Sequence, residues 1–266
     1  MIHASSSLPS LPPLTVYEQP LNERMRLFMR LETMFTQMKN FHRADEYYSI
    51  QLFLNALFDV LDFLHRYEIR SEIIKELQRY RSAIERGNLA FAQHTESPAE
   101  LLAQIDHSLG EAHAINFNII SSLRENELFN SMRQRNFNQS GNCLFEVPAY
   151  QFWLIRQGNR ENPFLIQCYE MFQPIIRAII LILRLVRQSD EISVVRAEKG
   201  MFLRALNSQM RNQMIRIHMN ATDTVFPRVS GDKHRFAVRF HHQDGPECRA
   251  EQSRDDICFG VQICAL

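Results

Sequence analysis

The hydrophobic period of this 266-residue chain changes at Ser189. Upstream, apolar side chains recur at the i, i+3, i+4 spacing of amphipathic helices; downstream, they alternate with polar ones, as in strands buried on one face. A period change restricts what each half can form, because a helical pattern laid out as a strand scatters its apolar groups over both faces. The sequence therefore predicts an α+β protein with an N-terminal α-helical domain followed by a C-terminal antiparallel β domain.

Leu21, Met25, Phe28, Leu31, Phe35 and Met38 step along one helical face. A second helix is predicted from about Asp45 and is apolar almost all round, through Ile50, Phe53, Leu57, Leu61 and Leu64. A third runs from Arg70 to Arg86 and stops at Gly87-Asn88. Ser97-Pro98-Ala99-Glu100 supplies an N-cap, a proline at the first helical position and a carboxylate at the third, and so opens a fourth. Leu109 to Met132 reads as helix with breaks, Arg133 to Gly141 as a polar connection, and Cys143 to Val147 as a short strand closed by Pro148. A helix over Tyr150–Arg156 and one long helix over Pro163–Arg187 follow. Strands are predicted at Ile192–Arg196, Met201–Leu206, Met214–Met219, His234–Phe240 and Ile257–Ile263. The expected domains are a disordered Ser/Pro-rich leader over Met1–Thr15, a mainly helical domain over Val16–Gln188 and a β domain over Ser189–Leu266.

Chemistry is sparse. The 8 glycines are too dispersed for GxGxxG or a P-loop, and neither GxSxG nor HExxH occurs. His234, His241, His242, Cys248, Cys258 and Cys264 gather metal-capable side chains near one sheet but lack the paired CxxC of a closed zinc site. Neither a cofactor nor a metal is expected, and the chain is read as a non-enzyme. The 5 cysteines show no disulfide framework and point to a reducing, cytoplasmic compartment. The leader lacks the basic and apolar regions of a signal peptide, and Ile175–Val186 is too short to span a bilayer. Lys+Arg 30 against Asp+Glu 30 leaves no global field for a nucleic acid or an anionic membrane. Among the basic residues arginine dominates, the group suited to forked contacts with carboxylates.

One segment concentrates that chemistry. In Gly231-Asp232-Lys233-His234-Arg235-Phe236-Ala237-Val238-Arg239-Phe240, strand alternation puts Phe236, Val238 and Phe240 on one face and Arg235, Ala237 and Arg239 on the other. Two guanidiniums about 13 Å apart with only alanine between them form an open cationic strip. The same pattern also fits a solvated sheet face whose arginines are ion-paired. A nucleic-acid reading is the alternative, with Arg133-Gln134-Arg135-Asn136-Phe137 and the Arg/Phe strand as phosphate and stacking contacts.

Tyr17-Glu18-Gln19-Pro20-Leu21-Asn22-Glu23-Arg24-Met25-Arg26, with Arg30-Leu31-Glu32 after it, resembles the opening of the bacterial cell division protein ZapD family. Arg70 to Leu77, Cys143 to Pro148 with Trp153-Leu154, and Pro227 to Gly231 running into Lys233–Phe240 agree with that family in order and spacing. The resemblance covers Val16 to about Phe240. It implies a helical domain followed by a β domain, in a protein of the Z-ring at mid-cell that forms homodimers. It further implies binding to the C-terminal tail of FtsZ, the tubulin-like division protein, and bundling of its filaments during septation. The family's basic residues tied to tail binding match Arg66, Arg235 and Arg239, and Arg30 keeps another family arginine. Glu127 and Gln151 stand where the family can carry a basic residue and a histidine, so no role is carried over to them.

Overall fold

The computed structural model describes residues 14–43, 45–87, 96–136, 147–157 and 162–265. Its contacts divide the chain into two compact units, one of Met1–Arg26, Leu89–Thr95 and Val186–Leu266, the other of Leu27–Asn88 and Glu96–Leu185. Helices precede the C-terminal strands, as the period change predicts.

The first unit is a β-sandwich. One sheet has the order β1 (Leu14–Pro20), β4 (Asn212–Asn220), β8 (Ile257–Ala265), β2 (Ser193–Ala197). The other has the order β3 (Met201–Ala205), β6 (Arg235–His242), β5 (Val225–Gly231), with the short β7 (Glu251–Gln252) also paired to β6. All pairings are antiparallel. Alternation along each strand sends Ile215, Ile217, Met219, Phe259 and Val261 from the first sheet into one core with Phe236, Val238 and Phe240 from the second. Phe259 meets Phe240 edge-on at 4.9 Å and Phe202 at 5.4 Å between ring centroids. Burying each such side chain contributes about 1.5–3 kcal/mol, which makes this cluster the principal support of the unit. Lys199 (φ 47°) and Gly200 (φ 70°) turn β2 into β3, with positive φ at both central residues as a type I′ hairpin requires.

Glu18 of β1 anchors the polar face of the first sheet. Both its oxygens accept from Arg187, each at 2.8 Å, and Oε1 also accepts from Arg216 Nε at 2.9 Å. Arg216 and Gln262 both donate to the Arg187 carbonyl, so side chains of β4 and β8 cap a helix end. At the start of α1 (Glu23–Phe41) Asn22 is the N-cap: its Oδ1 accepts from Met25 N at 3.0 Å, and its Nδ2 donates to Gln213 of β4.

The second unit is helical: most of α1, then α2 (Tyr47–Arg66), α3 (Ile69–Glu85), α4 (Pro98–Ala114), α5 (Phe117–Glu125), α6 (Glu127–Asn136), α7 (Pro148–Gln157), α8 (Pro163–Met171) and most of α9 (Gln173–Arg187). A chain of ring contacts, Phe58–Phe129–Phe164–Trp153–Tyr150, ties α2, α6, α8 and α7 together. The expected capping box opens α4: Ser97 Oγ accepts from Glu100 N, and Glu100 accepts from Ser97 N at 2.7 Å.

The breaks expected within Leu109–Met132 separate the end of α4, α5 and most of α6, with α5 and α6 restarted by the side-chain caps of Asn116 and Asn126. Other expectations are corrected. The long helix over Pro163–Arg187 is two helices bent by 50° at Phe172, because Pro174 has no N–H to continue the ladder. β1, β5 and β7 are strands that alternation alone did not indicate, and the β domain holds two sheets instead of one. Chain order placed Val16–Pro20 with the helices, and Leu14 and Thr15 with the leader; their pairing to β4 places all of them with the strands. Met1–Pro13 and Cys143–Glu146, the rest of the leader and most of the short predicted strand, lie outside the described residues.

Candidate functional site

On β6 the predicted alternation is realised. Phe236, Val238 and Phe240 are at most 1% exposed, while Arg235 and Arg239 face solvent. Register extends the strip onto the neighbouring strands, since directly paired residues of an antiparallel sheet share a face. Arg239 pairs with Arg228 of β5 on one side and with Met201 of β3 on the other. The next outward row is Ser230, Ala237 and Leu203, and the one after it joins Arg235 to Ala205. At the far end Phe226 stacks on His241 with centroids 5.9 Å apart, and the Arg228 guanidinium lies 5.8 Å from the Phe226 centroid. The face thus carries Arg228, Arg235 and Arg239 on small neighbours, bordered by an aromatic pair and by the exposed Met201 and Leu203.

None of the three guanidiniums has a carboxylate within ion-pairing distance among the described residues. Asp232, the acid nearest Arg235 in sequence, is committed to the β5–β6 turn, where Oδ1 accepts the backbone N–H groups of His234 at 2.7 Å and Arg235 at 3.1 Å. Those bonds, with the His234 and Arg235 charges, hold its carboxyl below the usual range. Three other arginines of the unit are matched: Arg187 and Arg216 with Glu18, and Arg196 with Asp256 at 2.7 Å.

The other two predicted residues belong to the helical unit. Arg66 is the last residue of α2, exposed, where a cation favours the negative end of the helix. Arg30 is exposed on α1 between the partly buried Met29 and the buried Leu31. Described contacts bring together Arg235 and Arg239, and add Arg228, which the sequence reading did not single out. Its signal was available, since Arg228 adjoins a strand-breaking proline in a block already noted, but register with Arg239 is not visible along the chain.

Glu127 opens α6 and Gln151 is exposed on α7. Arg133, offered for nucleic acid, donates instead to Asp62 at 2.9 Å. Among the described residues no three His, Cys, Asp or Glu side chains form a metal-ligand group. Cys168, Cys248, Cys258 and Cys264 are free thiols, and burial pushes Cys168 and Cys264 up to about 12. No single described helix is long and apolar enough to cross a membrane.

The profile of the ZapD family, described as a cell division protein, matches residues 29–239. The chain belongs to the ZapD family. Among its relatives is the cell division protein ZapD of Methylococcus capsulatus, 35% identical over 253 residues that cover 94% of this chain and 98% of the relative. The ZapD proteins of Ralstonia nicotianae and Coxiella burnetii are 28% and 26% identical, each over 94% of this chain and at least 97% of their own length. A cell division role follows from membership. The matched span includes Arg30, Arg66, Arg228, Arg235 and Arg239, so both units of this ZapD chain contribute to it.

Proposed function

We propose that this ZapD protein is a cytoplasmic, non-enzymatic Z-ring factor that binds the C-terminal tail of FtsZ and, as a homodimer, cross-links FtsZ filaments into bundles at mid-cell. The observation that carries this reading is the carboxylate-free arginine strip of β5 and β6, whose guanidiniums are presented to solvent on a rigid sheet. A peptide bearing carboxylates satisfies them with charge-assisted hydrogen bonds. An unstructured tail loses conformational freedom on binding, so a single tail binds weakly. Two sites on one dimer raise the effective concentration of the second tail and convert weak contacts into a cross-link. We add Arg66 and Arg30 to this reading because they match family arginines in the sequence resemblance and are exposed cations of the helical unit.

The test is co-sedimentation with polymerised cognate FtsZ, with and without its C-terminal tail. Bundles should pellet only when the tail is present, and light scattering should give a dimeric mass at micromolar concentration. Equal bundling of the tailless filaments would refute tail recognition, and a strictly monomeric mass would refute bivalent cross-linking. A gel shift with duplex DNA should show no complex at physiological salt.

A further inference from the structure

Met201 and Leu203 are 41% and 59% exposed although they sit on a well-paired strand. β3 is the end strand of its sheet, and the residues beside Leu203 in its row are only Ala237 and Ser230, so no large neighbour shields it. Met201 lies in the row of Arg239 and Arg228, and Leu203 lies in the row between Arg239 and Arg235. The outward face therefore has two columns, an apolar one on β3 and a cationic one on β6 and β5. Adjacent strands are about 4.8 Å apart, so one bound chain spans both columns.

We infer that Met201 and Leu203 are specificity residues of the arginine strip, and that its ligand is an extended acidic peptide with apolar side chains two positions apart. The inference rests on the tail-binding reading and adds what that reading lacks, a reason for one acidic segment to be chosen over another. Charge complementarity selects the occupant: three guanidiniums without carboxylate partners call for an acidic chain, and the adjoining apolar column calls for side chains that desolvate it. Spacing agrees, because alternate side chains of an extended peptide repeat about every 6.6–6.8 Å, the same interval that separates Met201 from Leu203 on their own strand. The cations supply attraction that salt screens, and the apolar column supplies attraction that salt does not weaken.

The experiment uses the full-length protein and two synthetic peptides of equal negative charge, one carrying leucines two positions apart and the other carrying serines there, followed by fluorescence anisotropy. Wild type should bind the leucine peptide about tenfold more tightly, the scale expected for burying one aliphatic side chain. Leu203→Ser, and separately Met201→Ser, should erase most of that preference while leaving the serine peptide and the melting temperature unchanged. Arg235→Glu should weaken both peptides together. Equal binding of the two peptides by wild type, with arginine dependence intact, overturns this inference and leaves tail binding standing. Failure of Arg235→Glu to weaken either peptide overturns the strip itself. A change of oligomeric mass in Leu203→Ser assigns the column to self-association and overturns the inference as well.

Discussion

Arg228 and Arg239 face each other directly across β5 and β6, two like charges in register with no carboxylate within ion-pairing distance among the described residues. Opposed like charges at such a position are about 5 Å apart at Cβ and destabilise a sheet by roughly 0.2–1 kcal/mol. Arg228→Gln should therefore leave thermal stability unchanged or raise it by up to about 1 kcal/mol, while weakening FtsZ-tail binding several-fold. Denaturation and anisotropy on the same preparation check both halves, and a clear loss of stability would show that Arg228 supports the fold.

Arg235→Glu with Arg239→Glu reverses the charge of the β6 strip without touching its core face. Each lost charge-assisted contact costs about 1.5–3 kcal/mol, enough to abolish a weak complex. Filament bundling should disappear while helix content and melting temperature stay near wild type. Wild-type binding should fall as salt rises, because exposed ion pairs are screened over a Debye length of about 8 Å at physiological ionic strength. A folded, dimeric double variant that still bundles filaments would mean that the tail docks elsewhere.

Glu18 gives the fold an acid-sensitive joint. Burial pushes its carboxyl up, but the hydrogen bonds and charges of Arg187 and Arg216 outweigh that and hold it below the ordinary value of 4.5. A folded pKa below the unfolded one means that the stabilisation is fully present above about pH 4.5 and is lost as pH falls through the depressed value. Glu18→Gln keeps the shape and removes the charge, and should cost about 2–3 kcal/mol at neutral pH. Urea midpoints against pH should show the wild type losing this increment in acid, with the variant flatter over the same window.

Gly200 is placed where only glycine fits. Its φ is 70°, and a Cβ there would sit 2.1 Å from the Ser253 carbonyl oxygen. Gly200→Ala should destabilise the β unit by more than about 1 kcal/mol, read as a lower urea midpoint. Gly87→Ala, also at positive φ but in open space, should cost less.

Sequence reading succeeded where the physical signal is local. The capping box of Ser97 and Glu100 is complete within four residues, and the alternation of β6 is visible because Phe236, Val238 and Phe240 are all large. It failed where the deciding partner is distant. β1 ends in Pro20 and β5 contains Pro227, residues that argue against a strand until pairing with β4 or β6 accommodates them. Two sheets instead of one, and Arg228 beside Arg239, are consequences of register, which no stretch of either strand encodes alone. Met201 and Leu203 lie in a strand that the pattern predicts; that β3 lies at an edge is a property of the sheet order.

The pairing of Leu14 with Asn220 also orders events during synthesis. β1 emerges about 200 residues before β4, and at roughly 5–20 residues per second that is a wait of about 10–40 s with its hydrogen-bonding groups unpaired. In that interval Leu27–Asn88 and Glu96–Leu185 are complete and free to collapse on local contacts, while the sandwich cannot begin to close. The arginine strip, carried by β5 and β6, thus comes into being only after the helices have been made.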